Sequence, residues 1–361
     1  MKASLWGQAR YLGPLPRGAD WPLPPRAFET DFGRQSYEAA IEMLELGEEL
    51  GYDWISFAEH HYTGARLTPS PMVMAAFMAS RVRKAKIALL GPLVPTQNPV
   101  RIAEETAMLD NLCDGRLVVG LLRGTPNEYQ VVGVNPAETR SRTQEGIELI
   151  IRAWTEPEPF AWEGRHYRYR SVSVWPRPRQ QPHPPLYALG TSMDTAEFAA
   201  RHHLGLGISY EPFEFAAEQS RYYFEQCALH GWQPGPEDIV FRARVYVAEN
   251  AEEADAYGQE LVTTRGREHV SRTLQYVESV ESARRSQHHF GLGNAANFAG
   301  TPDDIIAQLR RAREEVGIGV VDLGFDPPPG EDARDGVRLQ KKIMRSIDLF
   351  GREVLPAMRE I

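Results

Sequence analysis

Two histidines stand beside a glutamate at Glu59-His60-His61, directly after the apolar segment Trp54–Phe57. An imidazole titrates near neutral pH, so either histidine could transfer a proton or hydrogen-bond to a reacting group. The alternative is a structural histidine bonded to Glu59 inside the same loop. A zinc site is less favoured, because adjacent side chains point apart in an extended chain and one loop rarely supplies both ligands. We therefore predict no metal.

Arg123 and the segment from Ser192 to Thr195 could bind an anion such as a phosphate. Arg123 precedes Gly124 and could pair with a phosphate or a carboxylate, but a neighbouring acidic side chain is an equally good partner. Ser192, Met193 and Thr195 stand where a helix begins, and hydroxyl and free backbone N–H groups there bind phosphate. From the residues alone, an ordinary helix cap is the simpler interpretation of this segment.

Short apolar segments alternate with segments of helical periodicity, which predicts parallel strands joined by helices. The predicted strands are Ala3–Leu5, Trp54–Phe57, Ile87–Leu90, Leu117–Leu121, Leu186–Leu189, Gly207–Ser209, Ile239–Val247 and Val320–Phe325. The predicted helices are Ser36–Leu50, Pro71–Arg81, Pro99–Leu112, Thr139–Trp154, Thr195–Arg201, Phe213–His230 and Pro302–Val316. Eight such units close naturally into a (β/α)8 TIM barrel, with an open doubly wound sheet as the alternative.

Two segments break this alternation and are predicted to be insertions in a single domain spanning residues 1–361. Residues 157–185 are rich in aromatic side chains, arginines and prolines, which favours a hairpin followed by an extended arm. Residues 251–300 are longer than one crossover needs, which favours a helix and an excursion near the barrel mouth.

Barrel enzymes build their sites from the loops that follow the carboxyl ends of the strands. The residues after the second to fifth predicted strands should therefore share one mouth: Glu59–His61, Gly91–Pro92, Arg123–Thr125 and Gly190–Thr195. We expect aromatic side chains to line this mouth: Trp6, Phe57, Tyr62, Tyr129, Tyr210 and Phe290. No clamp of charged side chains is evident, so an apolar or aromatic substrate, or an aldehyde, is favoured.

The composition argues against several other classes of protein. The 361-residue chain has a net charge of −9 and no basic segment with interleaved aromatic residues, which disfavours nucleic-acid binding. Cys113 and Cys227 are too few for a disulfide framework or a four-cysteine zinc site, and they fit a reducing cytoplasm. Neither a signal peptide nor an apolar run of membrane-spanning length is found, so we expect a cytoplasmic protein without membrane contact.

Several motifs, taken in order, resemble the bacterial-luciferase-like monooxygenase family. They are Ala58-Glu59-His60-His61-Tyr62, Leu93–Glu105, Leu109–Arg116, Val119–Gly124, Gly133-Val134, Glu138–Arg140, Gly190–Thr195 and Gly300–Ile305. The resemblance covers most of the chain and is weakest at residues 157–182 and 251–300. It implies a luciferase-like TIM barrel with a flavin at its mouth, and a homodimer formed through the helices that follow the first strands.

The resemblance also assigns roles to individual residues. Arg123, Ser192 and Thr195 would hold the flavin phosphate, helped by the backbone N–H of Met193. Leu90, Gly91 and Pro92 would lie against the isoalloxazine ring, and the cis peptide bond that the family often has there is expected between Leu90 and Gly91. His60 would be catalytic at the reacting face of the flavin. The substrate pocket would include Trp6, Phe57, His61 and Tyr62.

The activity that the resemblance implies is that of an FMN-dependent monooxygenase. The chain lacks a Gly-x-Gly-x-x-Gly nicotinamide motif, so a separate flavin reductase is expected to supply reduced FMN. Oxygen would form a flavin hydroperoxide, which a dry pocket protects and which oxygenates a small organic substrate. Three alternatives stay open: a deazaflavin-dependent hydride-transfer oxidoreductase, a non-catalytic flavin-binding subunit, and a metallohydrolase.

Overall fold

The strands of this protein form a closed parallel barrel. A computed structural model describes residues 1–15, 21–256, 297–326 and 335–361. Within them, the eight barrel strands are β1 (Lys2–Trp6), β2 (Trp54–Phe57), β3 (Lys86–Leu93), β4 (Leu117–Leu122), β7 (Leu186–Leu189), β8 (Gly205–Ser209), β9 (Ile239–Val247) and β11 (Val320–Phe325). Their order is β9-β11-β1-β2-β3-β4-β7-β8, and pairing of β8 with β9 closes the ring. The TIM-barrel prediction is confirmed.

Helices between the strands cover the outside of the barrel. They are α1 (Thr30–Leu50), α2 (Pro71–Ala79), α3 (Pro99–Leu112), α4 (Pro126–Val132), α5 (Thr139–Thr155), α6 (Met193–Arg201), α7 (Phe213–Leu229), α8 (Pro302–Val316), α9 (Gly336–Leu349) and α10 (Leu355–Arg359). Proline at the first position and a polar cap begin α2, α3 and α8, whose caps are Ser70, Asn98 and Thr301. No helix among the described residues is long and apolar enough to cross a membrane.

Helix α1 begins at Thr30, six residues before the predicted start at Ser36. Ser36 is not a cap, because its hydroxyl donates to the carbonyl oxygen of Phe32 at 2.6 Å and accepts from the backbone N–H of Leu12 at 3.0 Å. The serine at this position therefore contacts the segment after β1 and does not mark the start of the helix.

The two segments predicted to be insertions both contain strands. Strands β5 (Phe160–Glu163) and β6 (Arg168–Val172) form an antiparallel hairpin within the first. The second holds a strand that the sequence pattern did not predict, β10 (Asn297–Gly300), which pairs with the end of β9 beyond the last residue paired to β8. Residues 257–296, including Phe290, lie outside the described residues.

Side chains along the strands alternate between the barrel interior and the helix layer. Trp54, Leu90 and Tyr187 belong to the cluster that fills the interior, with Ala88, Val118, Val240 and Val320. Ile55 and Phe57 belong instead to the large cluster between the sheet and the helices, which also buries both free cysteines. The core therefore has two layers, one inside the barrel and one between the sheet and the helices. Only the strand positions that point into the barrel lead to the mouth at its carboxyl end.

A buried carboxylate joins neighbouring strands inside the barrel. Asp322 of β11, which is fully buried, accepts hydrogen bonds from the hydroxyls of Ser4 of β1 at 2.8 Å and Ser56 of β2 at 2.5 Å. It also pairs with Arg242 Nε of β9 at 2.6 Å, and Arg242 Nη2 donates to the carbonyl oxygen of Leu90 of β3 at 2.8 Å. Five adjacent strands are thus connected by one network.

We expect Asp322→Ala to lower the free energy of unfolding by about 3–5 kcal/mol, because it leaves the Arg242 guanidinium largely buried without its carboxylate. Adding Arg242→Met should recover part of that loss. Urea denaturation measures both. The matched control is Asp348→Ala, which removes an exposed i,i+4 partner of Arg352 and should cost less than about 0.5 kcal/mol. An effect of Asp322→Ala as small as the control's contradicts this account of the network.

Candidate active site

His60 follows β2 at the carboxyl end of the barrel and is hydrogen-bonded to a buried glutamate. Its Nδ1 lies 3.1 Å from Glu128 Oε1, and its side chain is 24% exposed. Burial lowers the pKa of His60, although the hydrogen bond to Glu128 opposes the shift. Burial raises the pKa of Glu128, but the hydrogen bonds from His60 and Thr125 outweigh it, so the pKa of this carboxyl is lowered.

The two pKa shifts indicate which of these groups carries a proton at neutral pH. The imidazole is neutral and the carboxylate is ionised, and a carboxylate can only accept hydrogen bonds. Nδ1 of His60 therefore carries the proton and donates to Glu128, which leaves the lone pair of Nε2 as an acceptor. Within the described chain, Nε2 makes no hydrogen bond that would block this use.

Sequence reasoning missed Glu128, although a signal for it was present. Thr125-Pro126-Asn127-Glu128 is a capping box with proline at the first helical position. In α4 the Glu128 carboxylate accepts from both the backbone N–H and the hydroxyl of Thr125. Because the same carboxylate also bonds His60, the cap of α4 fixes the orientation of the imidazole.

His61 has the structural role that the sequence analysis kept as an alternative for these histidines. Its Nε2 lies 3.0 Å from Glu59 Oε1, and Glu59 also accepts from the backbone N–H of Leu93 and the amide of Gln97. The hydrogen bond to Glu59 raises the pKa of His61, against the opposing effect of burial. The two imidazoles thus bond different carboxylates. No group of side chains suited to hold a metal ion is found in the described ranges.

Ser192 and Thr195 form the cap of α6, as the simpler interpretation predicts. The Ser192 hydroxyl accepts from the backbone N–H of Thr195, and the two hydroxyl oxygens are 3.0 Å apart. Met193 begins the helix and is partly exposed. Asp194, whose carboxylate would repel a phosphate, is paired with Arg140 of α5. The hydroxyls and the N-terminus of α6 therefore lie together without an unpaired negative charge from Asp194.

Gln219, which the sequence analysis did not assign, and Tyr129, which it expected to line the mouth, hold this end of the mouth in place. Gln219 of α7 is buried, and its amide donates to the carbonyl oxygens of Gly190 and Ser192 at 3.0 and 3.1 Å. Tyr129 donates to the carbonyl oxygen of Gly124 at 2.6 Å, next to Arg123. Burial raises the pKa of Tyr129, and the charge of Arg123 opposes that rise. Arg123 itself is exposed.

The peptide bond between Leu90 and Gly91 is cis, as the resemblance implies. The carbonyl oxygen of Leu90 is the one that accepts from Arg242. A side chain at Gly91 has no room, because its Cβ would lie 1.7 Å from the carbonyl oxygen of Gly120. Pro92 is buried next to it, where the register between β3 and β4 shifts.

The aromatic residues that were expected to line the mouth do not all lie there. Trp6 lies there, with its ring centroid 6.1 Å from that of His60 and 6.5 Å from that of Tyr210. Tyr62 is 53% exposed on the rim. Phe57 is fully buried among the residues that face the helices, so its prediction as a substrate-pocket residue is corrected. It follows the inward-facing Ser56, and consecutive strand residues point to opposite faces.

The mouth also holds arginines that the sequence analysis did not place there. The guanidinium carbons of Arg66 and Arg242 lie 4.5 and 4.3 Å from the centroid of the Trp6 ring. Arg10 and Arg244 both pair with Asp326, at 3.0 and 3.5 Å. These residues come from segments far apart in the chain, so only the closed barrel brings them together.

The model of the luciferase-like monooxygenase family matches residues 19–319. The chain belongs to this family. The resemblance inferred from the motifs is therefore confirmed.

Two curated members of the luciferase-like family show how far the similarity extends. The alkanal monooxygenase alpha chain of Photorhabdus luminescens is 30% identical over 171 residues, which cover 47% of each chain. The oxygenase component of the flavin-dependent trigonelline monooxygenase of Acinetobacter baylyi is 25% identical over 63% of this chain and 64% of that protein. The matched stretches thus span about half to just under two thirds of these relatives.

A solved structure matches the whole luciferase-like barrel. The monooxygenase RslO1 from Streptomyces bottropensis has a TM-score of 0.75 and 25% sequence identity, with 99% of both chains covered. The match includes the strands and helices that form the mouth.

The donors at the mouth are suited to the phosphate group of a cofactor. The hydroxyls of Ser192 and Thr195, the first N–H groups of the nine-residue α6 and the exposed guanidinium of Arg123 are the groups that bind a phosphate dianion. They follow β4 and β7, whereas His60 follows β2, so a ligand that reaches from one to the other must cross the mouth.

We expect a pH titration of the imidazole C–H signals by NMR to give a midpoint below 6.5 for His60 and above 6.5 for His61. Glu128→Gln should lower the midpoint of His60 further, because it removes the adjacent negative charge, while glutamine preserves the capping box. Glu59→Gln is the matched control and should lower only the midpoint of His61. Spectra of His60→Gln and His61→Gln assign the signals. A His60 midpoint that Glu128→Gln leaves unchanged contradicts the pairing.

Proposed function

We propose that this protein is the oxygenase component of a two-component, FMN-dependent monooxygenase and takes reduced FMN from a separate flavin reductase. The observation that carries the proposal is that a phosphate-binding set of donors and a histidine with a free Nε2 share one barrel mouth. Arg123, Ser192, Thr195 and the backbone N–H of Met193 hold the phosphate. Leu90, Gly91 and Pro92 lie against the ring.

Bound reduced FMN supplies the two electrons with which one atom of O2 enters an organic substrate and the other leaves as water. The residues of the chain position this chemistry. His60 accepts a hydrogen bond or a proton at Nε2, and Glu128 keeps the other nitrogen protonated and the ring oriented. The buried flanks of His60, formed by Trp6 and the loop of Glu128, exclude water from this side of the mouth.

The relatives named above support the use of a reductase, because one of them is described as an oxygenase component. A deazaflavin could use the same phosphate site, since it carries the same kind of phosphate group. The relatives described as monooxygenases favour the monooxygenase, since hydride transfer by a deazaflavin would use a proton acceptor such as His60 equally well. A non-catalytic subunit would have no need for the His60–Glu128 pair.

We expect Arg123→Ala to weaken binding of reduced FMN about 10- to 100-fold and to leave binding of reduced riboflavin, which lacks the phosphate, nearly unchanged. Anaerobic titration of tryptophan fluorescence measures both affinities, with the deazaflavin F420 as a third ligand. Arg310→Ala, an exposed arginine on α8, is the control. Equal loss of FMN and riboflavin binding contradicts the phosphate assignment, and selective binding of reduced F420 contradicts the choice of FMN.

We also propose that the protein is a homodimer that uses the outer faces of α2 and α3. These neighbouring helices expose Val73 (68%), Phe77 (47%), Met108 (52%) and Leu112 (63%). Large apolar side chains grouped on adjacent helices mark an interaction surface, and a second copy of the chain offers the same surface in return.

We expect Val73→Asp combined with Met108→Asp to convert the dimer into a monomer, because it places charges in an apolar interface. Size-exclusion chromatography with light scattering gives the mass directly. Leu229→Asp on α7 changes a residue that is 76% exposed elsewhere on the surface and should leave the mass unchanged. A wild-type monomer, or a dimer that survives the double substitution, contradicts the proposal.

A further inference from the structure

Arg66 is a cation at the mouth that forms no ion pair within the described part of the chain. Its Nε is buried and has no hydrogen-bond partner, and no carboxylate of the described residues lies within ion-pair distance of its guanidinium. A buried charge without a partner is strongly unfavourable, so a position of this kind marks a site where a ligand supplies the missing charge.

The nearest carboxylates are already engaged. Asp326 is shared by Arg10 and Arg244, and Asp322 by Arg242 and two serine hydroxyls. Neither pairs with Arg66. Among the described residues, Arg66 is therefore the arginine of this group that forms no ion pair with a carboxylate.

Two further polar groups beside Trp6 lack partners. The hydroxyl of Tyr210 and the amide nitrogen of Gln8 are buried and make no hydrogen bond. The Tyr210 ring lies 6.5 Å from that of Trp6. The amide nitrogen of Gln8 and the Trp6 ring both approach the face of Gly324, where an added Cβ would lie 3.2 and 3.0 Å from them. The amide of Gln8 and the hydroxyl of Tyr210 are thus buried donors without a hydrogen-bond partner, and the Trp6 ring near both also carries the guanidinium of Arg66. Hydrogen-bond donors and a guanidinium together can bind an anion.

The backbone holds Arg66 in this place. The loop after β2 turns back along the segment after β1: the backbone N–H of Leu67 donates to Ala9 at 2.7 Å, and that of Tyr11 donates to Gly64 at 2.9 Å. The same loop returns to the catalytic histidine, whose backbone N–H donates to Thr68 at 3.0 Å. Arg66 is thus fixed relative to His60 before any ligand binds.

We infer that Arg66, with Gln8 and Tyr210, binds the carboxylate of an organic acid substrate next to His60. This inference rests on the proposed function, and it refines the substrate class from apolar or aromatic to an acid with an apolar or aromatic body. The carboxylate replaces the missing counter-ion of Arg66, and a guanidinium binds a carboxylate with two parallel hydrogen bonds.

The test uses 2-naphthoate and its uncharged partner 2-naphthamide, which have the same ring system and nearly the same shape. Isothermal titration calorimetry measures both ligands on the protein, with and without FMN. We expect wild type to prefer the acid, and Arg66→Met to weaken naphthoate binding about tenfold or more while leaving naphthamide unchanged. Arg66→Lys should retain part of the preference, because lysine keeps the charge without the planar fork. Arg310→Met is the control for net charge.

Three readouts separate this inference from other roles of Arg66. The melting temperature of Arg66→Met should not fall, because the substitution removes an unpaired charge. A lower melting temperature with unchanged naphthoate binding assigns a structural role and overturns the inference. Weaker FMN binding with unchanged naphthoate binding assigns Arg66 to the cofactor and also overturns it. Loss of the acid preference in Arg66→Met without FMN supports the inference even if FMN fails to bind wild type, an outcome that contradicts only the proposed function.

Discussion

The carboxylate of Asp322 is the interaction on which the mouth of the barrel depends. It accepts hydrogen bonds from β1 and β2, pairs with Arg242 of β9, and reaches β3 through that arginine. Side chains along a strand point alternately to its two faces. A residue two positions further along therefore points the same way, one layer nearer the mouth. Trp6 stands two residues after Ser4, and Arg244 two after Arg242. The network therefore sets the height and direction of the groups that surround His60.

The order of the strands gives this mouth two chemically different sides. Strands β4 and β7, which carry Arg123 and Ser192, lie opposite β11 and β1, which carry Asp326 and Trp6. One side offers hydroxyls, helix N–H groups and an exposed guanidinium. The other offers buried arginines and aromatic rings. A flavin that extends its phosphate to the first side leaves the second for a substrate, with His60 of the intervening β2 at the reacting centre.

Much of the fold follows from local sequence patterns. Strands Trp54–Phe57, Leu186–Leu189, Ile239–Val247 and Val320–Phe325 have the predicted bounds, and each begins directly after an aspartate, a proline or a glycine. The rule that sites follow strand ends located Glu59–His61 and Ser192–Thr195 before any geometry was known. Phe57 was misplaced because that rule does not say which of two consecutive residues faces inward.

Long-range contacts account for what the sequence did not reveal. Glu128 lies 68 positions from His60, and its capping box gave no indication of which side chain it would meet. Arg66 and Arg242 meet at one ring because the barrel closes, and in that arrangement Arg66 forms no ion pair with a carboxylate of the described residues. Neither the periodicity nor the composition of the sequence indicates whether Arg66 forms an ion pair.

The most direct test of this account is a crystal structure of the protein with FMN bound. We predict that the phosphate lies within hydrogen-bonding distance of Ser192, Thr195 and Arg123, and that the ring lies between Leu90-Gly91 and His60. A phosphate bound instead by Arg10, Arg66 or Arg244, with the ring turned towards α6, would contradict both the cofactor orientation and the division of the mouth into a phosphate side and a substrate side.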